Sequence, residues 1–452
     1  RQTVEIANRL KNGEPISSMT DIKGTCYAVP AAQYEPGPAV ECPSYEQVCA
    51  SKREYAISCR KQQDEQDAVR EKRVIQRHGD RILVQNPPQP PLTQEEFDRV
   101  YELPYERAYH PSYEQQGGVP AILEVEFSIT HNRGCYGACN FCSIAFHQGR
   151  EITARSKASV IKEAKLLTQM PNFKGYIHDV GGPTANFRGI SCDKQIKHGL
   201  CKAKKCLAPT PCKLLKVDHS EYLQILRELR TLPKVKKVFV RSGVRYDYLM
   251  QDSDESFFRE LVQYHVSGQL KVAPEHCSAN VLDHMGKPHI EVYKAFQKRF
   301  YQITKAAGKE QYLVPYLMSS HPGSTLKDAV ALALFLKQER LRPEQVQDFY
   351  PTPGTISTCM FYTELDPYTL QKVYVPKTDR EKAMQRALLQ YFNQKNQALV
   401  IQALKAAGRT DLIGNDAKCL VRPLQEQRGV PGGKRKRSPQ RNIHPKKTKK
   451  ER

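Results

Sequence analysis

Residues 133–150 read RGCYGACNFCSIAFHQGR, and the three thiols in this stretch decide how the rest of the chain is read. Cys135, Cys139 and Cys142 stand at C-x3-C-x2-C spacing, with Gly134, Gly137 and Ala138 small enough to let the backbone between them fold tightly. Three thiolates on one short loop can hold three irons of a 4Fe–4S cluster and leave the fourth iron without a nearby protein ligand. An open metal position is also what separates catalytic from structural zinc. The competing reading is a Cys3His zinc site with His131 or His147 as fourth ligand. Structural zinc loops usually pair two thiols with a second, distant pair, so the contiguous spacing favours the cluster.

Outward from the loop the pattern becomes regular. Strand-length apolar runs are expected at Ile122–Thr130, Gly175–Val180, Lys236–Ser242, Gln269–Ala273, Gln311–Ser319 and Val346–Tyr350. Between them lie amphipathic helices, marked by Tyr222, Leu223, Leu226 and Leu229, by Tyr293, Phe296 and Phe300, and by Leu326, Ala329, Val330 and Ala333. This alternation predicts an α/β fold with a parallel sheet and crossover helices. Six strands are two short of a closed eight-stranded barrel, so an open (β/α)6 partial TIM barrel is expected.

The expected domains are five. Residues 1–27 hold a terminal helix, and residues 28–120 a Pro-rich extended arm with a short helix near Tyr45–Arg73, because prolines deny donors to helix interiors and sheet ladders. Residues 121–375 form the core barrel, with a Cys-rich insert at 190–215. Residues 376–425 form a C-terminal helical extension. The tail, 426–452, has almost nothing apolar to bury and is expected to be a disordered basic end.

Composition narrows the function classes. Of 452 residues, 70 are Lys or Arg against 48 Asp or Glu, a balance of +22 that suits a polyanionic partner such as RNA. No window approaches 18 consecutive apolar residues, so a membrane-spanning helix and a membrane partner are excluded. The 14 cysteines are too sparse for a disulfide-stapled secreted domain. Their clustering reads as metal ligation in a reducing, cytoplasmic compartment. The chain opens on Arg1 without a charged-then-apolar leader and reads as a fragment or a processed chain.

CYGACNFC, with aromatic Phe141 before the last thiol, resembles the signature of the radical S-adenosylmethionine (radical-SAM) enzymes. More closely, SITHNRGCYGACNFCSIAFHQGREITARS, DVGGPTAN, RSGVRYD, KVAPEH, MSSHPGST and DFYPTPGT resemble the YgiQ family of radical-SAM proteins. The likeness runs from about Gln76 to Leu424 and extends more weakly into the opening helix with its NGEPIS. It implies a barrel of radical-SAM type and an N-terminal α/β domain, absent here, that such a helix would close. It also implies S-adenosylmethionine bound through its amino and carboxylate groups to the open iron. A reductase or flavodoxin-type electron donor and a 5′-deoxyadenosyl radical follow from the same likeness.

Residues at the C-terminal ends of barrel strands line the site in such folds. Gly181 and Gly182 match the superfamily's glycine-rich motif at the amino group of S-adenosylmethionine, but Pro183 departs from its acid; a plain tight turn is the other reading. Ser242, Arg245 and Asp247 follow the third strand. Arg245 is read either as a bidentate partner of the cofactor carboxylate or as an ordinary surface salt bridge. After the fourth strand, Glu275 is a candidate for the ribose hydroxyls, and His276 for a substrate contact or a satisfied core histidine. Phe141 completes the cofactor-binding set. A second candidate metal set, Cys192, Cys201, Cys206 and Cys212, has C-x8-C-x4-C-x5-C spacing and calls for an iron–sulfur cluster or zinc to order its Lys-rich loop. Two functions are therefore expected in competition: a radical-SAM enzyme of undetermined substrate, RNA among the candidates, and a non-catalytic, zinc-stabilised RNA-binding protein.

Overall fold

The computed structural model describes residues 1–424, so the basic tail at 426–452 lies outside the described residues. The chain opens with a helix, Gln2–Lys11. The stretch expected as an extended arm instead builds a four-stranded sheet from β1 (Cys26–Pro30), β2 (Ala39–Glu41), β3 (Arg73–His78) and β4 (Arg81–Gln85), in the order β1-β4-β3-β2. The prolines fall where they cost the ladder nothing. Pro30 closes the edge strand β1, and Pro43, Pro87 and Pro88 stand in the connections. β3 and β4 are joined through Gly79-Asp80, with Gly79 at φ 57°, a two-residue hairpin that only a left-handed residue closes easily. Helices Tyr45–Ala50 and Lys52–Asp64 carry the chain from β2 to its parallel neighbour β3. Between Tyr101 and Ile122 the path is irregular, apart from a 3-10 turn at Pro111–Gln116.

The rest of the chain is mixed α/β. The run expected as one strand over Ile122–Thr130 is a single helical turn, Ile122–Val125, followed by β5 (Ser128–Thr130). Leu123 and Val125 point outward, so nothing holds the first half of the run in a ladder. β6 (Asn132–Arg133) pairs antiparallel with β7 (Thr153–Ala154), which clasps the cysteine loop at its base. Then follow β8 (Tyr176–Ile177), β9 (Asp179–Gly181), β10 (Lys237–Val238), β11 (Gln269–Glu275), β12 (Tyr312–Ser319) and β13 (Gln347–Asp348). β5 pairs with β9, β8 with β10, β11 with β12, and β12 with β13, every pair parallel.

Helices Lys157–Leu167, Ser220–Thr231, Ile290–Ala306 and Leu326–Gln338 lie between the strands. They bury one face each: Val160 and Ala164, Tyr222 and Leu226, Phe296 and Phe300, Leu332 and Leu336, all in one apolar core with Ile177, Val180 and Val272. Two further helices, Asp379–Leu389 and Gln397–Ala406, pack Met384, Leu388, Val400 and Leu404 against Ala329, Val330 and Ala333. Among the described residues no helix is long and apolar enough to cross a membrane. What matters for the site is direction: parallel strands bring the loops that follow their C-terminal ends to one edge of the sheet.

Candidate active site at the strand ends

The cysteine loop leaves β6 through Gly134, whose φ of 87° and close approach to the Glu151 carbonyl leave no place for a Cβ. Ala138, between the first two thiols, also takes a left-handed conformation at φ 46°. Strain of this kind in a non-glycine residue persists where the surroundings over-determine it. Here they do, because the Lys205 ammonium donates to the Ala138 carbonyl, and also to Asn140 Oδ1 at 2.7 Å. The Asn140 N–H donates to the Met285 carbonyl at 2.8 Å, and its side-chain amide to the His284 carbonyl at 2.8 Å. The loop is thus fixed from three parts of the chain.

Cys135, Cys139 and Cys142 are each partly buried, and Cys139 and Cys142 line one pocket together with Lys205. Burial, with the charges of Cys139 and Cys135 beside it, pushes the Cys142 thiol up to about 11. Two cations stand against the trio. Arg245 directs Nη1 to Cys139 Sγ at 3.4 Å, so closely behind the loop that a Cβ on Gly137 would strike the guanidinium. Lys205 is the second; burial lowers its ammonium to about 8, while Cys139 and Cys135 act to raise it. Thr184 Oγ1 lies 3.6 Å from Cys135 Sγ.

Arg245 is neither free for a ligand carboxylate nor a surface salt bridge. It is buried, and Asp247 takes its fork through Nε at 2.8 Å and Nη2 at 2.5 Å. Burial by itself would raise the Asp247 carboxyl; the guanidinium outweighs it and holds the group below its ordinary value. The bidentate role read for Arg245 toward a cofactor is therefore filled from within the chain.

The glycine pair ends β9. A Cβ on Gly182 would overlap the Asn132 side chain, whose Oδ1 is buried and has no hydrogen-bond partner. A Cβ on Gly181 would overlap Ser242 and Asp179. This is close approach to other strand ends, more than a tight turn requires. Ser242 is held by Asp179, which accepts its hydroxyl and its N–H at 3.1 Å. Phe141 packs edge-on to His321, ring centres 6.0 Å apart. Glu275 ends β11 at φ 69°, buried with Lys287 Nζ 3.9 Å away, and burial raises its carboxyl. His276 accepts the Ser278 N–H at 3.0 Å; burial pushes it down to about 4, which makes it a neutral core histidine. Tyr350 is exposed.

The second thiol set lies beside the first. Cys206 and Cys135 both pack against one buried cluster of Tyr136, Phe187, Leu207 and Tyr248. Cys192 and Cys201 lie near enough to Cys206 for their charge to raise its thiol, although burial is the larger cause. The Cys212 N–H donates to the Cys206 carbonyl at 2.9 Å. Among the described residues no three His, Cys, Asp or Glu side chains converge on a single ion, at either set.

A 4Fe–4S cluster fits the first site chemically. Its donors are three thiols on one loop, faced by two cations suited to an anionic ligand. Sequence reasoning missed Lys205, Lys287, Asn132 and Thr184. The last two lie inside the quoted SITHNRG and DVGGPTAN motifs and were open to notice there; nothing local marked the two lysines.

Comparison with known proteins adds the following. Residues 1–128 match a family model described as Radical SAM N-terminal, and residues 344–452 match a domain of unknown function, DUF3362. A UPF0313 protein of Clostridium botulinum (strain Okra) is 56% identical over 418 residues, covering 92% of this chain and 65% of the relative. One from Clostridium perfringens (strain SM101) is 54% identical over 422 residues, covering 93% and 64%. The chain thus spans about 65% of the length of these relatives. Among solved structures, the radical S-adenosylmethionine methyltransferase TsrM from Kitasatospora setae aligns at TM-score 0.32 and 16% identity over 52% of this chain and 39% of that one. The cobalamin-dependent S-adenosylmethionine radical enzyme OxsB aligns at 0.39 and 11% over 63% and 50%. By its identity to the clostridial proteins over more than nine-tenths of its length, the chain belongs to the UPF0313 family, which is the YgiQ family of radical-SAM type.

Proposed function

We propose that this chain is the catalytic part of a radical-SAM enzyme, built on an open (β/α)6 barrel, with Cys135, Cys139 and Cys142 holding three irons of a 4Fe–4S cluster. The observation that carries the reading is a trio of thiols on one strained loop, with a buried guanidinium 3.4 Å from Cys139 and no fourth thiol on that loop. When bound and reduced, such a cluster supplies the electron that splits S-adenosylmethionine into methionine and a 5′-deoxyadenosyl radical. The chain's own residues prepare the ground. Arg245 and Lys205 offset thiolate charge, and the buried Asn132 Oδ1 beside Gly182, which has no hydrogen-bond partner, is left to accept from a ligand's amino group. Phe141 covers the loop from the apolar side, and Glu275 offers an acceptor at the rim for ribose hydroxyls.

The electron donor in this reading is a reductase or a flavodoxin-type protein, and the compartment is the cytoplasm. RNA is the substrate class to try first, since a balance of +22 favours a polyanion. The test is anaerobic purification of the full chain, iron and sulfide analysis, and chromatographic detection of 5′-deoxyadenosine after dithionite and S-adenosylmethionine are added. Brown protein that forms 5′-deoxyadenosine, and loses both properties on Cys135→Ala/Cys139→Ala/Cys142→Ala replacement, supports the reading. Colourless protein with zinc at both thiol sets would instead make it the zinc-stabilised RNA-binding protein.

A further inference from the structure

From Gly199 to His219 the chain forms no helix and no strand. Structureless stretches longer than about 15 residues are uncommon inside a compact fold, and need something besides backbone ladders to order them. This one is ordered enough to bury Leu207 and Ala208 completely or nearly so. It also carries the cations Lys202, Lys204, Lys205, Lys213 and Lys216, of which Lys202 pairs with Glu65 and Lys216 with Asp193.

Three features point to what the stretch folds around. The two ends of the insert are tied together, the Lys216 N–H donating to the Ser191 carbonyl beside Cys192 at 2.8 Å, and Cys212 is tied to Cys206 through its backbone N–H at 2.9 Å. Two buried donors next to the thiols have no acceptor: Gln195 Nε2, on the short helix that follows Cys192, and Arg150 Nε. Arg150 already grips the insert through the Cys201 carbonyl at 2.9 Å and the Lys204 carbonyl. Spare N–H groups around a set of thiols belong to the kind of shell that an anionic thiolate-bound centre would satisfy.

We infer that Cys192, Cys201, Cys206 and Cys212 hold a second iron–sulfur cluster, closed by four protein thiolates and packed, like the first thiol set, against the Tyr136, Phe187, Leu207 and Tyr248 cluster. The insert packs Cys206 against the same buried aromatic cluster as Cys135, which favours a centre that exchanges electrons with the first site over a purely structural zinc. The four-thiolate ligation leaves no open iron, so the centre would carry electrons or brace the insert, and would not bind S-adenosylmethionine.

The experiment uses the full chain, purified without oxygen, in two variants. Cys135→Ala/Cys139→Ala/Cys142→Ala leaves the insert intact; Cys201→Ala/Cys206→Ala leaves the first loop intact. Iron, acid-labile sulfide and zinc are measured per chain, with electron paramagnetic resonance after dithionite. The inference expects each variant to keep half of the wild-type iron and sulfide, and the first variant to give a reduced-cluster signal of its own. It is overturned if the first variant holds no iron, or if it holds zinc that the second variant lacks. Should the second variant fail to fold, the first still decides. Loss of iron from the second variant alone would count against the first site instead, so the two readings fail separately.

Discussion

Arg245 shows how one side chain serves structure and chemistry at once. Its guanidinium is buried, forked to Asp247, and turned by its remaining nitrogen toward Cys139. Removing one partner of a buried pair leaves an uncompensated charge, which costs about 3–5 kcal/mol. Asp247→Ala should therefore lower the unfolding free energy by about that amount in urea titration. The double variant Arg245→Met/Asp247→Leu should recover most of the loss, because a well-packed apolar pair is often as stable as a buried ionic one. If the first site holds the proposed cluster, the double variant should not restore iron content, since the guanidinium facing Cys139 is gone. Lys205 permits a complementary test. Lys205→Met removes the ammonium that holds the Ala138 carbonyl and Asn140 Oδ1, and takes a cation away from the thiols. The reduction potential of the first cluster should move in the negative direction in a dye-mediated redox titration; an unchanged potential would show that Lys205 only props the loop. Cys135, Cys139, Cys142 and the two glycines were visible in the chain because their chemistry is local. Lys205 was not, since its role comes from a fold that brings residue 205 against residue 138.

At the level of elements, the parallel β/α alternation was legible because each helix repeats apolar residues at helical spacing over a long window, as Tyr222, Leu226 and Leu229 do. The strands were harder. β8, β10 and β13 are each two residues long, too short for any alternation to register. The N-terminal sheet was misread because prolines dominate residues 28–120, yet RVIQRH and RILVQ around Gly79-Asp80 carry a hairpin signal in their β-branched residues and turn. What joins these short strands at the site is often a side chain rather than a ladder. Asp179 of β9 accepts the Arg241 N–H at 2.7 Å, the Ser242 N–H at 3.1 Å and the Ser242 hydroxyl, and so ties β9 to the loop after β10. Asp179→Ala should cost about 1–3 kcal/mol, since it strands donors that a charged acceptor had satisfied. Calorimetric titration with a stable S-adenosylmethionine analogue should also show weaker binding, because Ser242 then loses its fixed place beside Gly181. Loss of stability with unchanged affinity would remove Ser242 from the cofactor-binding set.

At the scale of the whole molecule, burial holds four histidines neutral among the described residues, and they contribute to the acid side of the stability profile. Burial holds His131 and His321 at about 3 and His265 and His276 at about 4, all below the ordinary value near 6.5. Between those values the unfolded chain binds protons that the folded chain refuses, so stability rises with pH. Each histidine's contribution is present in full above about 6.5 and is lost as pH falls toward the folded value, at about 1.4 kcal/mol per pH unit. Glu275, Glu151 and Asp64 pull the other way, because burial raises their carboxyls and the folded state then holds the extra protons. A single replacement separates the two. His265 donates Nδ1–H to the Val238 carbonyl at 2.8 Å, while its Nε2 is buried without a partner. Gln at this position keeps a donor for that carbonyl and cannot titrate. In urea titrations at pH 7 and pH 5, the wild-type chain should lose about 2 kcal/mol more than His265→Gln, the integral of one histidine's proton uptake over that window. Equal losses in the two proteins would mean that His265 protonates in the folded state near its ordinary value. The low-pH slope would then belong to other groups.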